Sequence, residues 1–338
     1  MRTILVTGGS GFLGRHLIAS LLDEAPLSLV VIDDLSTGRH PDLWLDATAI
    51  GSSANVYTTS SGSRITFLLT DVIDALSPGN VLPVRGYVDE VYHLAARVGG
   101  RMALEQRPDQ IARNLCIDAA FFSWAMANHA RIGRVLYLSS SAVYPLSLQQ
   151  FGSCIPLAES VTDELSSFET DGVYGWAKLT GEFLAQTVAS KKGLNVACVR
   201  PFSGYGPDQE ADYPVTAIAN RVLARENPLL VWGPGDQERD FIHISDCVKG
   251  IRLAIERIND GSAVNLGTGI GTSMTEIARD LAHLSGYSPQ IINDSTKPVG
   301  AGARIADTAL MSCLLAWHPK VSLRDGLADV LKVKSEYF

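Results

Sequence analysis

The stretch from Val6 to Leu17, VTGGSGFLGRHL, limits what this chain can fold into more than any other. It completes an apolar run, TILVTG (Thr3 to Gly8), and opens an amphipathic segment from Phe12 to Asp23. Gly9-x-Gly11-x-x-Gly14 satisfies the dinucleotide spacing, and Gly8 adds a G-x-x-G-x-x-G reading of the same loop. Glycines there permit a tight strand-to-helix turn and close approach of backbone to a pyrophosphate. The new helix offers that anion unpaired N–H groups and a positive dipole end. The spacing alone means little, but between a strand and a helix it predicts a dinucleotide site.

The rest of the chain repeats the same alternation. LVVID (Leu29 to Asp33), ITFLLTD (Ile65 to Asp71), DEVYHLAA (Asp89 to Ala96), RVLYLSS (Arg134 to Ser140) and NVACVRP (Asn195 to Pro201) read as strands separated by helical patterns. Continuous apolar strands of this kind predict a parallel sheet covered on both faces, a doubly wound α/β fold with ligands at the carboxyl ends of the strands. The Ser/Thr/Gly-rich stretch from His40 to Arg64 reads as an inserted loop.

Asp33 ends the second strand 19 residues after Gly14. A carboxylate there accepts from both ribose hydroxyls and repels a 2′-phosphate, which predicts NAD over NADP. Asp33 could instead cap the turn that follows it. Arg39 could hold a 2′-phosphate, but it sits six residues past the acid.

The 338 residues carry a formal charge of −8, 46% hydrophobic and 19% charged residues. That balance speaks against a nucleic-acid or anionic-membrane partner. No apolar run approaches a membrane span, and a first strand at Thr3 leaves no room for a signal peptide, so a cytoplasmic location is expected. Five scattered cysteines read as reduced, mostly buried thiols, and no metal site is expected.

DGVYGWAKLTGE (Asp171 to Glu182) predicts a helix capped by Asp171 and closed by Gly193, with Tyr174 and Lys178 a turn apart on one face. By itself a Tyr-x-x-x-Lys pair suits an ordinary helix surface as well as chemistry.

Other motifs come in a telling order: TGGSGFLG, DDLSTGR, HLAA (His93 to Ala96), SSSAVYP (Ser139 to Pro145), Tyr174-x-x-x-Lys178, RPFSGYGP (Arg200 to Pro207), QERDFIHISD (Gln237 to Asp246), NLGTG (Asn265 to Gly269) and WHP (Trp317 to Pro319). Together they resemble the extended short-chain dehydrogenase/reductases that act on nucleotide sugars. The resemblance spans nearly the whole chain. It implies that Tyr174 exchanges a proton with a sugar hydroxyl while hydride moves to NAD, and that Lys178 holds the nicotinamide ribose and favours the phenolate. It implies Ser141 as the serine that relays the proton or orients the sugar. Ser140 is the runner-up, because family members differ by one residue in that spacing.

For the cofactor the resemblance implies contacts from Gly8, Gly11, Phe12, Leu13, Asp33, Asp34, Ser36, Asp71, Val72, Leu94, Ala95, Ala96, Asn114, Ser139 and Pro201, besides Tyr174 and Lys178. A structural role is equally open for Asn114. For a nucleotide diphosphate sugar it implies Arg97, Gly99, Gly100, Ser140, Ser141, Ser203, Arg239 and Arg304, the last two as grips on the diphosphate. Either arginine could instead serve a salt bridge.

The family's dehydratases and decarboxylases place an acid after the Ser/Thr, where this chain has Ala142-Val143. AARVGG, SSAVYP and the region Val231 to Ile251 are similar to GDP-mannose 3,5-epimerase and GDP-fucose synthase, which carry a cysteine where Ala142 stands. Ser203 also replaces the family's asparagine. What remains needs only Tyr, Lys, Ser and NAD, and points to C4 epimerisation. The alternatives are a net nucleotide-sugar oxidoreductase, a 3,5-epimerase or dehydratase, and a non-enzymatic NAD sensor. The implied architecture is a Rossmann domain (1–200 and about 237–265) intertwined with a smaller α/β substrate lobe (201–236 and 266–338). A homodimer built on the segment Ala103 to Ala130 and the Tyr174 helix is also implied.

Overall fold

The computed structural model describes residues 1–24, 26–50, 55–84, 86–99, 106–153, 155–164 and 170–335. The first half runs β1 (Arg2–Thr7), α1 (Phe12–Leu22), β2 (Leu27–Asp33), β3 (Thr48–Ala49), β4 (Val56–Thr58), β5 (Arg64–Leu69), α2 (Val72–Ala75), β6 (Val88–His93), α3 (Pro108–Ala127) and β7 (Ile132–Leu138). Then follow α4 (Gly172–Lys192), β8 (Asn195–Pro201), β9 (Ser203–Tyr205), α5 (Pro214–Leu223), β10 (Leu229–Trp232), β11 (Glu238–His243), α6 (Ile244–Arg257) and β12 (Asp260–Leu266). The chain closes with β13 (Gly271–Ser273), α7 (Met274–Leu284), β14 (Ile291–Asp294), β15 (Ala303–Arg304), α8 (Ala309–Leu315) and α9 (Leu323–Ser335).

Nine strands form one sheet in the order β12-β8-β7-β6-β1-β2-β5-β4-β3. From β12 to β5 every pair is parallel. The central strands are apolar on both sides because helices cover both faces. Ile4 and Val6 point into one buried cluster with α1 and α6, and Leu5 points into the other with α3 and α4. Strand order reverses at β1, between β6 and β2, so a crevice opens at the carboxyl ends of β1 and β6.

The stretch from His40 to Arg64 is more ordered than a loop. Among its described residues, a 3-10 turn (Pro41–Leu43) precedes β3 and β4, which pair antiparallel and extend the sheet edge beyond β5. β-branched and aromatic residues in VYT suit a strand paired on both sides, with Tyr57 buried.

A third cluster joins α5, α7 and α9 to β10 and β11 in the smaller lobe. β11, expected in the larger lobe, pairs with β9, β13 and β15 instead. Met311, Leu315 and Trp317, expected in the smaller lobe, pack into the Rossmann core beside α6.

Candidate active site

The loop between β1 and α1 is built around backbone proximity. Gly8 has φ 72° and donates its N–H to Ile32 O at 2.8 Å. A β-carbon on Gly8 would fall 2.6 Å from the Ala95 nitrogen, and one on Gly14 would fall 2.4 Å from Gly8 O. A β-carbon on Gly11 would meet only Gly8 O, at 3.5 Å. Gly11 also starts α1 with no side-chain cap, so the first N–H groups of the helix face outward unclaimed by a side chain.

Fourteen of the residues expected at the cofactor line one continuous cleft: Gly8, Gly11, Phe12, Leu13, Asp33, Asp34, Ser36, Asp71, Val72, Leu94, Ala95, Ala96, Tyr174 and Lys178. Asp33 sits at its back, its two oxygens accepting the Ser10 and Leu35 N–H groups at 2.8 Å each. Burial raises its carboxyl above the usual range against the pull of those bonds. Arg39 turns away from the cleft and donates to Asp208 O at 2.8 Å.

Arg97, expected at the sugar, lines the same cleft. Its loop follows β6, yet its guanidinium reaches across to Asp34 Oδ2 at 2.6 Å and lies 3.8 Å from Asp71 Oδ2. That is the Asp33–Asp34 side of the cleft. Burial opposes ionisation of Asp34, but bonds from Ser36 and Arg97 outweigh it and hold the carboxyl low. Asn114 is buried out of the cleft, where its amide accepts from Arg97 N–H at 2.7 Å and donates to Arg97 O at 3.0 Å. Its geometry is that of a structural clamp on the loop.

Tyr174 and Lys178 lie one turn apart on α4, which ends at Gly193 with φ 66° as the spacing predicts. Asp171 does not cap this helix; its carboxylate turns to Arg304 instead. The Ser140 hydroxyl, just past β7, is the neighbour that favours ionisation of the Tyr174 phenol. Ser140 Oγ also accepts the Ala142 N–H at 3.1 Å, which leaves its own proton for the phenol. Ser141, the expected partner, opens a buried 3-10 turn (Ser141–Val143). β7 ends at Leu138, two residues before the expected end, so both serines lie beyond the strand.

Burial pushes the Tyr174 phenol up to about 12, and the Ser140 bond offsets this only in part. The depressed value expected from Lys178 is absent. The Lys178 ammonium lies over the Tyr137 ring, 4.8 Å from its centroid. Ser139 does not line the cleft; its hydroxyl donates to Glu182, one further turn along α4. Glu182 in turn takes a two-pronged grip from Arg200 (2.9 and 2.7 Å), so this row of α4 is bolted to β7 and β8.

Arg239 and Arg304 stand opposite each other in register on the parallel strands β11 and β15. Arg304 donates to Gln149 Oε1 and Asp171 Oδ2, at 2.5 and 2.7 Å. Arg239 bonds Glu238 O and Val299 O. Ser203 on β9 and Pro201 on β8 are half-buried outside the cofactor cleft, Gly99 lines it, and Gly100 falls outside the described residues.

The NAD dependent epimerase/dehydratase family matches residues 4–267. The chain belongs to this family. It is 28% identical over 337 residues to an uncharacterized UDP-glucose epimerase of Bacillus subtilis, covering 99% of this chain and 98% of the relative. It is 29% identical over 260 residues to GDP-L-fucose synthase of Escherichia coli, covering 72% of this chain and 78% of the relative. Its fold matches UDP-glucuronic acid 4-epimerase from Bacillus cereus, solved with UDP-glucuronic acid and NAD, with a TM-score of 0.77 at 26% identity. That match covers 99% of this chain and 100% of the other.

The loop geometry fits the dinucleotide that an NAD-dependent epimerase/dehydratase needs. A side chain at Gly11 would enter the cleft, and the uncapped start of α1 supplies donors for a pyrophosphate. Gln209, Glu210, Asp212 and Tyr213 also line the cleft and went unrecognised in the sequence. Their one signal is position, directly after RPFSGYGP. Asp208 holds this segment down, accepting from Arg15 Nη2 at 2.8 Å and contacting His16 Nε2 at 2.7 Å.

Proposed function

We propose that this member of the family is a nucleotide-sugar 4-epimerase that keeps its NAD through the catalytic cycle. The observation that carries this reading is the Tyr174–Lys178 pair in the cleft, with Ser140 favouring ionisation of Tyr174 and a buried alanine at position 142. Neither the acid of the dehydratases nor the thiol of the 3,5-epimerases stands there. An epimerase assignment is also what two of the relatives' names suggest.

NAD, when bound, supplies a positively charged acceptor that takes hydride from the sugar carbon and returns it. Gly8, Gly11 and the start of α1 hold the pyrophosphate, Asp33 takes the adenosine ribose, and Lys178 holds the nicotinamide ribose. Tyr174 removes the C4 hydroxyl proton and later restores it, with Ser140 donating a hydrogen bond to the phenolate. Arg239 and Arg304 grip the diphosphate, which leaves the sugar free to turn over between the two hydride transfers. The exposed face of α4 (Val173, Trp176 and Phe183) is the surface of the inferred homodimer.

Denaturing the purified protein with no added cofactor tests retention. Near-stoichiometric release of NAD supports the epimerase. Release of NADP would overturn the role given to Asp33. An empty cleft combined with net NADH formation on nucleotide sugars would favour an exchanging oxidoreductase.

A further inference from the structure

Asp118, on α3, is a carboxylate in the core that the proposed chemistry leaves unused. It is 1% exposed. The Tyr137 hydroxyl donates to its Oδ2 at 2.7 Å, and His93 Nε2 contacts its Oδ1 at 3.1 Å. His93 is fully buried, stacked on Phe121 at 3.8 Å, and burial holds its imidazole below the usual range, so it is neutral. Its other nitrogen, Nδ1, meets Thr7 Oγ1 at 2.7 Å, and Thr7 Oγ1 accepts the Ala95 N–H at 3.4 Å. Thr7 therefore gives its proton to Nδ1, and His93 gives its Nε2–H to Asp118.

With His93 neutral, the carboxylate needs a cation elsewhere. Lys178 is 1% exposed, and its ammonium lies over the same Tyr137 ring whose hydroxyl serves Asp118. The groups that bear on Lys178 are Asp118 from α3, His93 from β6, Tyr137 from β7, Cys198 from β8, and Tyr174 and Glu182 from its own helix. Glu182 is already held by Arg200 and Ser139.

We propose that Asp118 is a positioning residue for catalysis. Its carboxylate is the counter-charge that keeps the buried Lys178 ammonium charged and in place, and the Thr7–His93–Asp118 chain ties that charge to the loop at Ala95 lining the cofactor cleft. Burial of Lys178 works against its charge and Asp118 supports it; the same pairing keeps the Asp118 carboxyl low. The negative charge also opposes ionisation of Tyr174 directly. Its useful effect therefore passes through Lys178.

The catalytic half of this proposal rests on Tyr174 and Lys178 being the reacting pair; the pairing itself does not. A cycle of Asp118→Asn, Lys178→Met and the double variant, read by thermal unfolding, tests the pairing without any assay of turnover. Each single variant should lower Tm, and the double variant should melt above Lys178→Met, because the orphaned carboxylate is gone. Additive losses overturn the pairing. If Asp118→Asn gives no soluble protein, Lys178→Met alone reads the same carboxylate. Its Tm deficit against wild type should shrink between about pH 7 and about pH 4, as the unpaired Asp118 takes up a proton more readily than the paired one. A deficit independent of pH overturns the pairing. For the catalytic half, Asp118→Asn should move the alkaline limb of the rate profile to lower pH with KM for the nucleotide sugar unchanged. An unmoved limb overturns it.

Discussion

The Ser140 hydroxyl, just past β7, favours ionisation of the Tyr174 phenol, while Ser141, the next residue, is buried at the start of a 3-10 turn. A serine that touches the base assists proton transfer, and its neighbour does not. Ser140→Ala should lower kcat about a hundredfold, and Ser141→Ala should stay within about threefold of wild type. Steady-state rates on an accepted nucleotide sugar distinguish the two, and the reverse ranking would return the role to Ser141.

Tyr174 rests as a phenol, because burial holds it near 12. The phenolate fraction grows about tenfold per pH unit below that value, so the rate of the proton-removal step should climb with pH until bound NAD has brought the group into range. Tyr174→Phe should lose about a thousandfold in kcat or more, with bound NAD content unchanged. A single-turnover pH series on the wild-type protein checks the slope.

Arg239 and Arg304 are cross-strand neighbours with different attachments. Arg304 is paired to Asp171 with both side chains about nine-tenths buried, whereas Arg239 bonds backbone carbonyls. Replacing either with Gln should raise KM for the nucleotide sugar about tenfold or more with NAD content unchanged. Arg304→Gln should in addition cost about 3 kcal/mol of stability, because it removes the mostly buried ion pair with Asp171. Denaturant melts beside the kinetics separate the two effects.

Asp208 pins the segment Gln209 to Tyr213 over the cleft. Burial works against its charge, but His16 and Arg15 outweigh burial and hold the carboxyl far below its ordinary range. A depressed folded value adds stability that is present above the unfolded pKa of about 4 and is lost as pH falls through the folded one. Asp208→Asn should therefore cost about 2 kcal/mol near neutral pH, and the gap to wild type should close in strong acid. Urea unfolding across pH measures it.

The parallel sheet was legible because each central strand is apolar on both faces and each helix has its own period. The glycine loop was legible because close approach at Gly8 and Gly14 excludes any other residue. The choice between Ser140 and Ser141 was left open in the sequence, because spacing does not fix where a strand ends, and β7 stops at Leu138, two residues before the expected end. The Arg97–Asp34 pair was not legible, because a long side chain can reach from one strand end to another. Asp171 carries the signature of a helix cap, and only the tertiary pairing with Arg304 takes it away. Asp118 has no motif at all; its place beside His93 and Tyr137 comes from three separate elements meeting in the core.

The central claim is a hydride that leaves C4 of the sugar and returns to the same carbon on its other face. The direct test uses UDP-glucose and UDP-glucuronic acid carrying deuterium at C4, incubated with the protein as purified and analysed by mass spectrometry and NMR. The account predicts the C4 epimer of one of them, with deuterium kept at C4, no solvent hydrogen incorporated there and no NADH accumulating. Loss of the label to free NADH, or a product that has lost water, would contradict it.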